Sequence, residues 1–460
     1  MKEPLNVRIG RVPVAIAALT FACTLAIRVW GISTRFWLLG DQIRDWSIAL
    51  GPFTDLPLVG PATHVGGYTI GPAFYWILWA IRVTVGPWFD NLPHAGGIGQ
   101  AILQSGADAL LLVAVWRRTR SPWIALTTTV LVATAPYDLA LSALVWNPSM
   151  GSTLAKVATA LVLLDWHRGS ATRIAITAAL AWGAVHAYTG AIFVTAGVFA
   201  AVLAEPLVRG NWDAVRRNAV IITSVVALLQ LPYIMHQVSN QFRGSGMGAV
   251  SGSLGRILSG SARPELTKSV VGYAGAFHFI QIAPWQVPLA GWVLLACGAI
   301  LAVRYFRDPS LLAITILPQL AAVVGYSLFL DDLDHYYYLS LMPAAVLTVV
   351  LAATAVPPAR FVRFVGIALL AGALAAVPAR VRFAKTMHRM PEYRVLVEAS
   401  RQIRGSRQSM RAIRTDFKLP PTSNPEFLYK VLGGRIDRAS PWVGVITADG
   451  RVVYQHVEGP

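Results

Sequence analysis

Eleven apolar runs follow one another along the chain, near residues 12–30, 97–116, 122–137, 150–166, 172–186, 188–204, 219–236, 287–304, 310–330, 336–355 and 361–379. Each approaches the roughly 20 residues that a helix needs to cross a hydrocarbon core about 30 Å thick. The stretch 172–204 is too long for one span and is broken by His186-Ala187-Tyr188-Thr189-Gly190, so it divides in two. A further apolar stretch, 68–86, begins among Gly66-Gly67 and Gly71-Pro72 and carries Tyr68, Phe74, Tyr75, Trp76 and Trp79. Aromatic side chains collect at headgroup level, so this stretch reads as interfacial or re-entrant rather than as a twelfth span. From residue 380 onward the pattern changes. Residues 392–404 read as an amphipathic helix, and Val443–Thr447 and Val452–His456 flank Asp449-Gly450 as a hairpin. The pattern predicts a polytopic all-α membrane protein of about eleven transmembrane helices over 1–379, with a small C-terminal α/β soluble domain over 380–460.

The charges between the runs alternate. Arg117-Arg118-Thr119-Arg120, Arg168 with Arg173, Arg209 with Arg216 and Arg217, Arg304 with Arg307, and Arg360 with Arg363 mark one side. The connections near 138–149, 186–190 and 331–335 lack Lys and Arg. Basic short loops stay cytoplasmic, which puts the N-terminus inside and the first long loop, the acidic loops and the C-terminal domain outside, in a multi-pass protein of the inner (cytoplasmic) membrane. An interfacial 68–86 makes the crossings add up. As an ordinary span, it would leave the 117–120 cluster breaking the rule. Lys2, Arg8 and Arg11 precede the first run like a signal peptide. That run is long for one, no small-residue cleavage site follows, and it reads as a retained span.

Composition agrees. The 460 residues are 55% hydrophobic and only 13% charged, where a soluble domain carries about 25%. The net charge of +17 would point to nucleic acid in a soluble protein, but here arginines meet anionic headgroups, so no nucleic-acid partner is expected. Cys23 and Cys297 lie in apolar runs and imply no disulfide framework.

The outer loops hold the candidate chemistry. The first reads Gly40-Asp41-Gln42-Ile43-Arg44-Asp45-Trp46, then His64-Val65-Gly66-Gly67-Tyr68 and Gly71-Pro72-Ala73-Phe74-Tyr75-Trp76. Asp41 and Asp45 share a face if this segment is helical, and a carboxylate there could take a proton from an acceptor hydroxyl. Arg44 could pair with Asp41 or meet a phosphate. A solvated acidic loop held by ion pairs is the plainer account. The second loop offers Trp146 as an apolar platform and Asn147 as an amide. His186 lies where two spans meet, a place more typical of a satisfied core histidine. Asp331-Asp332-Leu333-Asp334-His335 could hold a divalent cation, although the spacing matches no zinc motif.

Together these pieces resemble the GT-C superfamily of polyprenyl-phosphate-sugar-dependent glycosyltransferases, and within it the bacterial family 39 type akin to protein O-mannosyltransferases and the aminoarabinose transferase of lipid A. The family's first-loop acidic motif corresponds to Asp41-Gln42, its Gly/Pro-aromatic stretch to Gly71–Trp76, its second-loop motif to Trp146–Ser149, and its late element to His335-Tyr336-Tyr337-Tyr338 with Met342-Pro343. Position 42 is glutamine where the family has a second acid, and Asp45 could stand in.

The resemblance implies inverting transfer of a sugar from a polyprenyl-phosphate donor to a hydroxyl of an envelope glycan, lipid or protein at the outer face. Asp41 and Asp45 are the catalytic candidates. Arg44, His64, Tyr68, Tyr75, Trp146, Asn147, His186, Arg243, His335 and Tyr336 are the substrate-binding candidates, with Arg44 and Arg243 as phosphate partners. The rival readings are a lipid-linked saccharide transporter, against which the spans hold few charges, and a non-catalytic envelope scaffold.

Overall fold

The computed structural model describes residues 11–35, 40–63, 67–142, 144–242, 255, 258–260, 286–329, 335–387, 390–419 and 424–457. Every apolar run of the sequence forms a helix. In chain order these are α1 (Arg11–Val29), α5 (Leu92–Thr119), α6 (Pro122–Ala133), α8 (Asn147–Leu163), α9 (Ala171–Ala187), α10 (Ile192–Val208), α11 (Trp212–Ser239), α12 (Gln286–Arg304), α13 (Pro309–Phe329), α14 (Met342–Ala355) and α15 (Ala359–Thr386). Among the described residues, seven helices are long and apolar enough to cross a membrane. Of the other predicted spans, α6, α8 and α9 are shorter, at 12, 17 and 17 residues, and with α12 they complete the bundle. Caps set several of the starts. Asn91, Ser121, Ser170 and Asn211 each accept the first free amides of α5, α6, α9 and α11 through their side chains.

The first loop folds into the short helices α2 (Ile32–Arg35), α3 (Gly40–Ala49) and α4 (Ala73–Thr84). At 12 residues, α4 is about 18 Å long and cannot cross a bilayer by itself, in accord with the interfacial reading of 68–86. A short helix, α7 (Pro136–Leu141), precedes the second loop.

The tail holds α16 (Pro391–Gly405), β1 (Ala412–Thr415), α17 (Pro425–Val431), β2 (Trp442–Ile446) and β3 (Val452–His456). The predicted hairpin is present, antiparallel in register Val445↔Val453, with Gly450 in the left-handed region at φ 84°. Strand β1, which the periodicity does not announce, pairs parallel to β2 with Ile413 opposite Gly444. The tail docks on the first loop. Tyr393 donates from its hydroxyl to Asn91 Oδ1 at 3.0 Å, and Arg401 pairs with Asp90 at 2.7 Å. One continuous apolar cluster runs from Trp46, Phe74 and Tyr75 to Met390, Leu396 and Ile446.

The few charges of the helices are gathered rather than scattered. Arg28 of α1, Asp108 of α5, Asp138 of α7 and Lys156 of α8 form a buried quartet with side chains 0–3% exposed. Arg28 pairs with Asp108 at 2.7 Å and Asp138 at 2.9 Å, and Lys156 with Asp108 at 2.6 Å. Arg28 also donates to Ser105 Oγ at 3.1 Å and to the Ala133 carbonyl at 3.4 Å. Single charges in four separate segments look sparse along the chain. Tertiary packing gathers them into a neutral set, which is how buried charge is tolerated.

Candidate active site

The sequence Gly40-Asp41-Gln42-Ile43-Arg44-Asp45-Trp46 forms α3, with Asp41 in the first turn, where the helix dipole favours a carboxylate. Trp46 and Ala49 turn into the bundle and carry Asp45 with them. Arg82 of α4 closes the other end, donating to the carbonyls of Ala49 at 2.7 Å and Gly51 at 2.9 Å. The two helices are thereby fixed against each other.

The two carboxylates, alike in sequence, differ in environment. The Asp45 side chain is 1% exposed and that of Asp41 is 56% exposed. Arg44 lies between them. It donates from Nε to Asp45 Oδ1 at 2.9 Å and from Nη1 to Asp41 Oδ1 at 3.0 Å, with 37% of its side chain open. Tyr75 of α4 donates from its hydroxyl to the same Asp45 Oδ1 at 3.0 Å. Burial pushes the Asp45 carboxyl up to about 6, against the opposing pull of Arg44 and Tyr75, and burial likewise pushes the Tyr75 hydroxyl up, so it stays a donor. A carboxyl raised in this way gives the folded state its proton-linked stability in full below the ordinary value of 3.8. That contribution is lost as pH rises through about 6.

The second loop approaches at Gly96 of α5. A Cβ there would lie 2.2 Å from the Trp46 ring and 2.7 Å from Val145, so Trp46, next to Asp45, and Val145, next to Trp146, meet over a residue that must have no side chain. Gln100 Nε2 donates to the Leu141 carbonyl at 3.4 Å and its Oε1 accepts from Trp146 N at 3.4 Å. The Trp146 ring packs at 4.8 Å on Tyr336, which stacks on Tyr337 at 4.5 Å. Asn147 opens α8.

His186 stands apart. It is 1% exposed and packed beneath Gly71, where a Cβ would lie 2.1 Å from its Nδ1. Its Nε2 lies 3.3 Å from Gln230 Oε1, which also accepts from Trp182 Nε1 at 3.1 Å, while Gln230 Nε2 donates to the Ile70 carbonyl at 2.8 Å. This set holds the segment before α4 on α9 and α11, which makes His186 a seat for the loop rather than a surface for substrate. Gly71→Ala is expected to lower the thermal midpoint, by about 1–3 kcal/mol of overpacking. Adding His186→Ala to it should recover part of that loss; equal midpoints for wild type and the single variant would show that the contact is slack.

Tyr68 is exposed and faces the His236 ring at 5.8 Å. His64, Arg243, the side chain of His335 and the acidic run 331–334 lie outside the described residues, and so does the site of the divalent-cation expectation. Among the described residues no group of three or more His, Cys, Asp or Glu side chains is placed to hold a metal.

No protein-family model and no curated relative matches the sequence. Solved structures do. ArnT from Cupriavidus metallidurans bound to undecaprenyl phosphate superposes with a TM-score of 0.52 at 14% identity, over 91% of this chain and 84% of that one. The Archaeoglobus fulgidus oligosaccharyltransferase in the apo form gives 0.52 at 13% identity, over 93% of this chain and 64% of the other. Both are GT-C glycosyltransferases. This chain has the GT-C fold. The chain spans just under two thirds of the length of the archaeal protein. In this GT-C fold the first-loop helices and the tail form one packed unit at the end of the bundle where α5 begins.

Proposed function

We propose that the protein is a glycosyltransferase that moves a sugar from a polyprenyl-phosphate donor to an acceptor hydroxyl, with inversion, at the outer face of the cytoplasmic membrane. The observation that carries this is the Asp41–Arg44–Asp45 arrangement in the first loop of a GT-C fold: an open carboxylate and a half-open guanidinium, anchored on a buried carboxylate. The acceptor oxygen attacks the anomeric carbon and its proton passes to Asp41. The bond from that carbon to the phosphate oxygen breaks, and the phosphate leaves with the electron pair on its lipid. A phosphate is a weakly basic leaving group and needs no strong acid. Arg44 pairs with its oxygens as charge collects there.

Asp45 is too buried to meet an acceptor and serves as the anchor that aims Arg44. Trp146 and Tyr336 offer aromatic surface for a sugar or isoprenoid face. The acceptor is a hydroxyl of an envelope glycan, lipid or protein.

The test uses purified protein in vesicles with radiolabelled polyprenyl-phosphate sugars and a mixed envelope acceptor fraction. Release of polyprenyl phosphate with label in the acceptor is the expected result. Movement of the lipid-linked sugar across the bilayer without cleavage would replace this reading with the transporter. The pH profile is a second measurement. Transfer should rise with pH through about 6, because ionised Asp45 holds Arg44, and Asp45→Asn should lose that step while keeping some activity.

A further inference from the structure

At the opposite end of the bundle, one length of α5 away (28 residues, about 42 Å), the basic side carries two cavities that share Arg118 and Asp308. One, of about 510 Å³, has Arg118, Arg304, Tyr305 and Asp308 above a floor that includes Leu311, Leu347 and Leu351. The other, of about 380 Å³, is lined by Arg118, Arg168, Arg209 and Arg307 with Glu205 and Asp308. Arg118 is held rigidly between Asp165 at 2.9 Å and Asp308. Five arginines meet three carboxylates here: Arg118, Arg168 and Arg209 pair with Asp165, Glu205 and Asp308, and Arg304 and Arg307 supply the excess positive charge that attracts an anion.

The same helices, α12 and α13, also frame an apolar groove of about 250 Å³. Gly291, Leu295, Gly298 and Ala302 line one wall and Ile316 and Leu320 the other. Gly291 to Ala302 recur on one helical face and run about 16 Å along α12 toward Arg304. A Cβ at Gly298 would meet nothing within 4 Å, so the groove is open there.

We propose that this end of the protein binds an anionic phospholipid, its phosphate at Arg304 and Arg307 and one acyl chain along the α12–α13 groove. A soluble anion would have no use for the apolar α12–α13 groove. A neutral lipid would have none for the arginine rim. A head and a tail in one amphiphile match both linings, and a basic membrane boundary is where such lipids concentrate. The site is independent of sugar transfer and lies far from Asp41.

The experiment is native mass spectrometry of the full chain released from detergent after incubation with phosphatidylglycerol or phosphatidylethanolamine. Wild type should retain phosphatidylglycerol in preference. Arg304→Ala with Arg307→Ala should lower that retention roughly thirtyfold. Gly298→Leu, whose Cβ meets nothing within 4 Å, should fill the acyl groove and lower retention of the same lipid. Thermal midpoints matching wild type confirm that both variants are folded. Equal retention of the two lipids, or unchanged retention in both variants, overturns the proposal. So does displacement of the lipid by millimolar inorganic phosphate or by polyprenyl phosphate at equal concentration. The first would mark a site for anions alone and the second a site for the donor lipid.

Discussion

Asp41→Asn should reduce sugar transfer by about 10²–10⁴-fold, the range for removing a general base. The amide keeps the size of the side chain and can still accept from Arg44 Nη1, now 3.0 Å from Asp41 Oδ1. It cannot take the proton from the attacking hydroxyl. Because the carboxylate is 56% exposed, its loss should leave the fold intact, and the thermal midpoint should stay at the wild-type value. The effect therefore falls on kcat with little change in KM for the lipid donor.

Asp45→Asn should behave differently. It leaves Arg44 and Tyr75 without the anion they share at Oδ1, so the defect should appear as weaker donor binding. Steady-state kinetics with varied donor separate the two. Wild-type kcat in Asp41→Asn would remove Asp41 as the base, and a change confined to KM would make it a binding residue instead.

Lys156→Met should destabilise the protein by about 3–5 kcal/mol, because it leaves Asp108 and Asp138 sharing Arg28 alone in a site with almost no water. Lys156 Nζ lies 2.6 Å from Asp108 Oδ1 and 3.7 Å from Asp138 Oδ2. The remaining set would carry one uncompensated negative charge. Pairing the change with Asp108→Asn restores neutrality, since Arg28 and Asp138 still match at 2.9 Å. The double variant should recover most of the lost thermal midpoint. Heating in detergent, followed by the fraction that remains monodisperse, measures this. A single variant as stable as wild type, or a double variant no better than the single, would show that the quartet is not coupled. The quartet matters beyond stability because Arg28 lies just before Gly31, at φ 73°, where the chain turns out of α1 toward α3. Pinning Arg28 pins the root of the loop that carries Asp41.

Much of this protein is written along the chain. Apolar runs of spanning length must become helices in lipid, since no water is there to satisfy the backbone. All eleven did, and the Asp449-Gly450 hairpin formed for equally local reasons of turn geometry. The short α4 was legible because Gly71-Pro72 and its aromatic residues conflict with a buried span. The charged cluster around Asp41 was legible as a cluster, because its residues sit together in sequence.

The division of labour inside that motif was not legible. Asp41 and Asp45 lie four positions apart, and helical spacing makes them neighbours on one face. Only the packing of Trp46 against Gly96 and of Tyr75 against the first loop buries one and leaves the other open. His186 likewise carries no mark in sequence of the Gly71 lid above it. The quartet is the clearest case. Arg28 and Asp138 are 110 residues apart, and each is a lone charge in its own segment. Local sequence determines which segments are helical because their backbone and burial needs are met within about 20 residues. Which charges meet is decided by the assembled bundle, where the cost of an unpaired ion in a dry interior selects the arrangement that neutralises it.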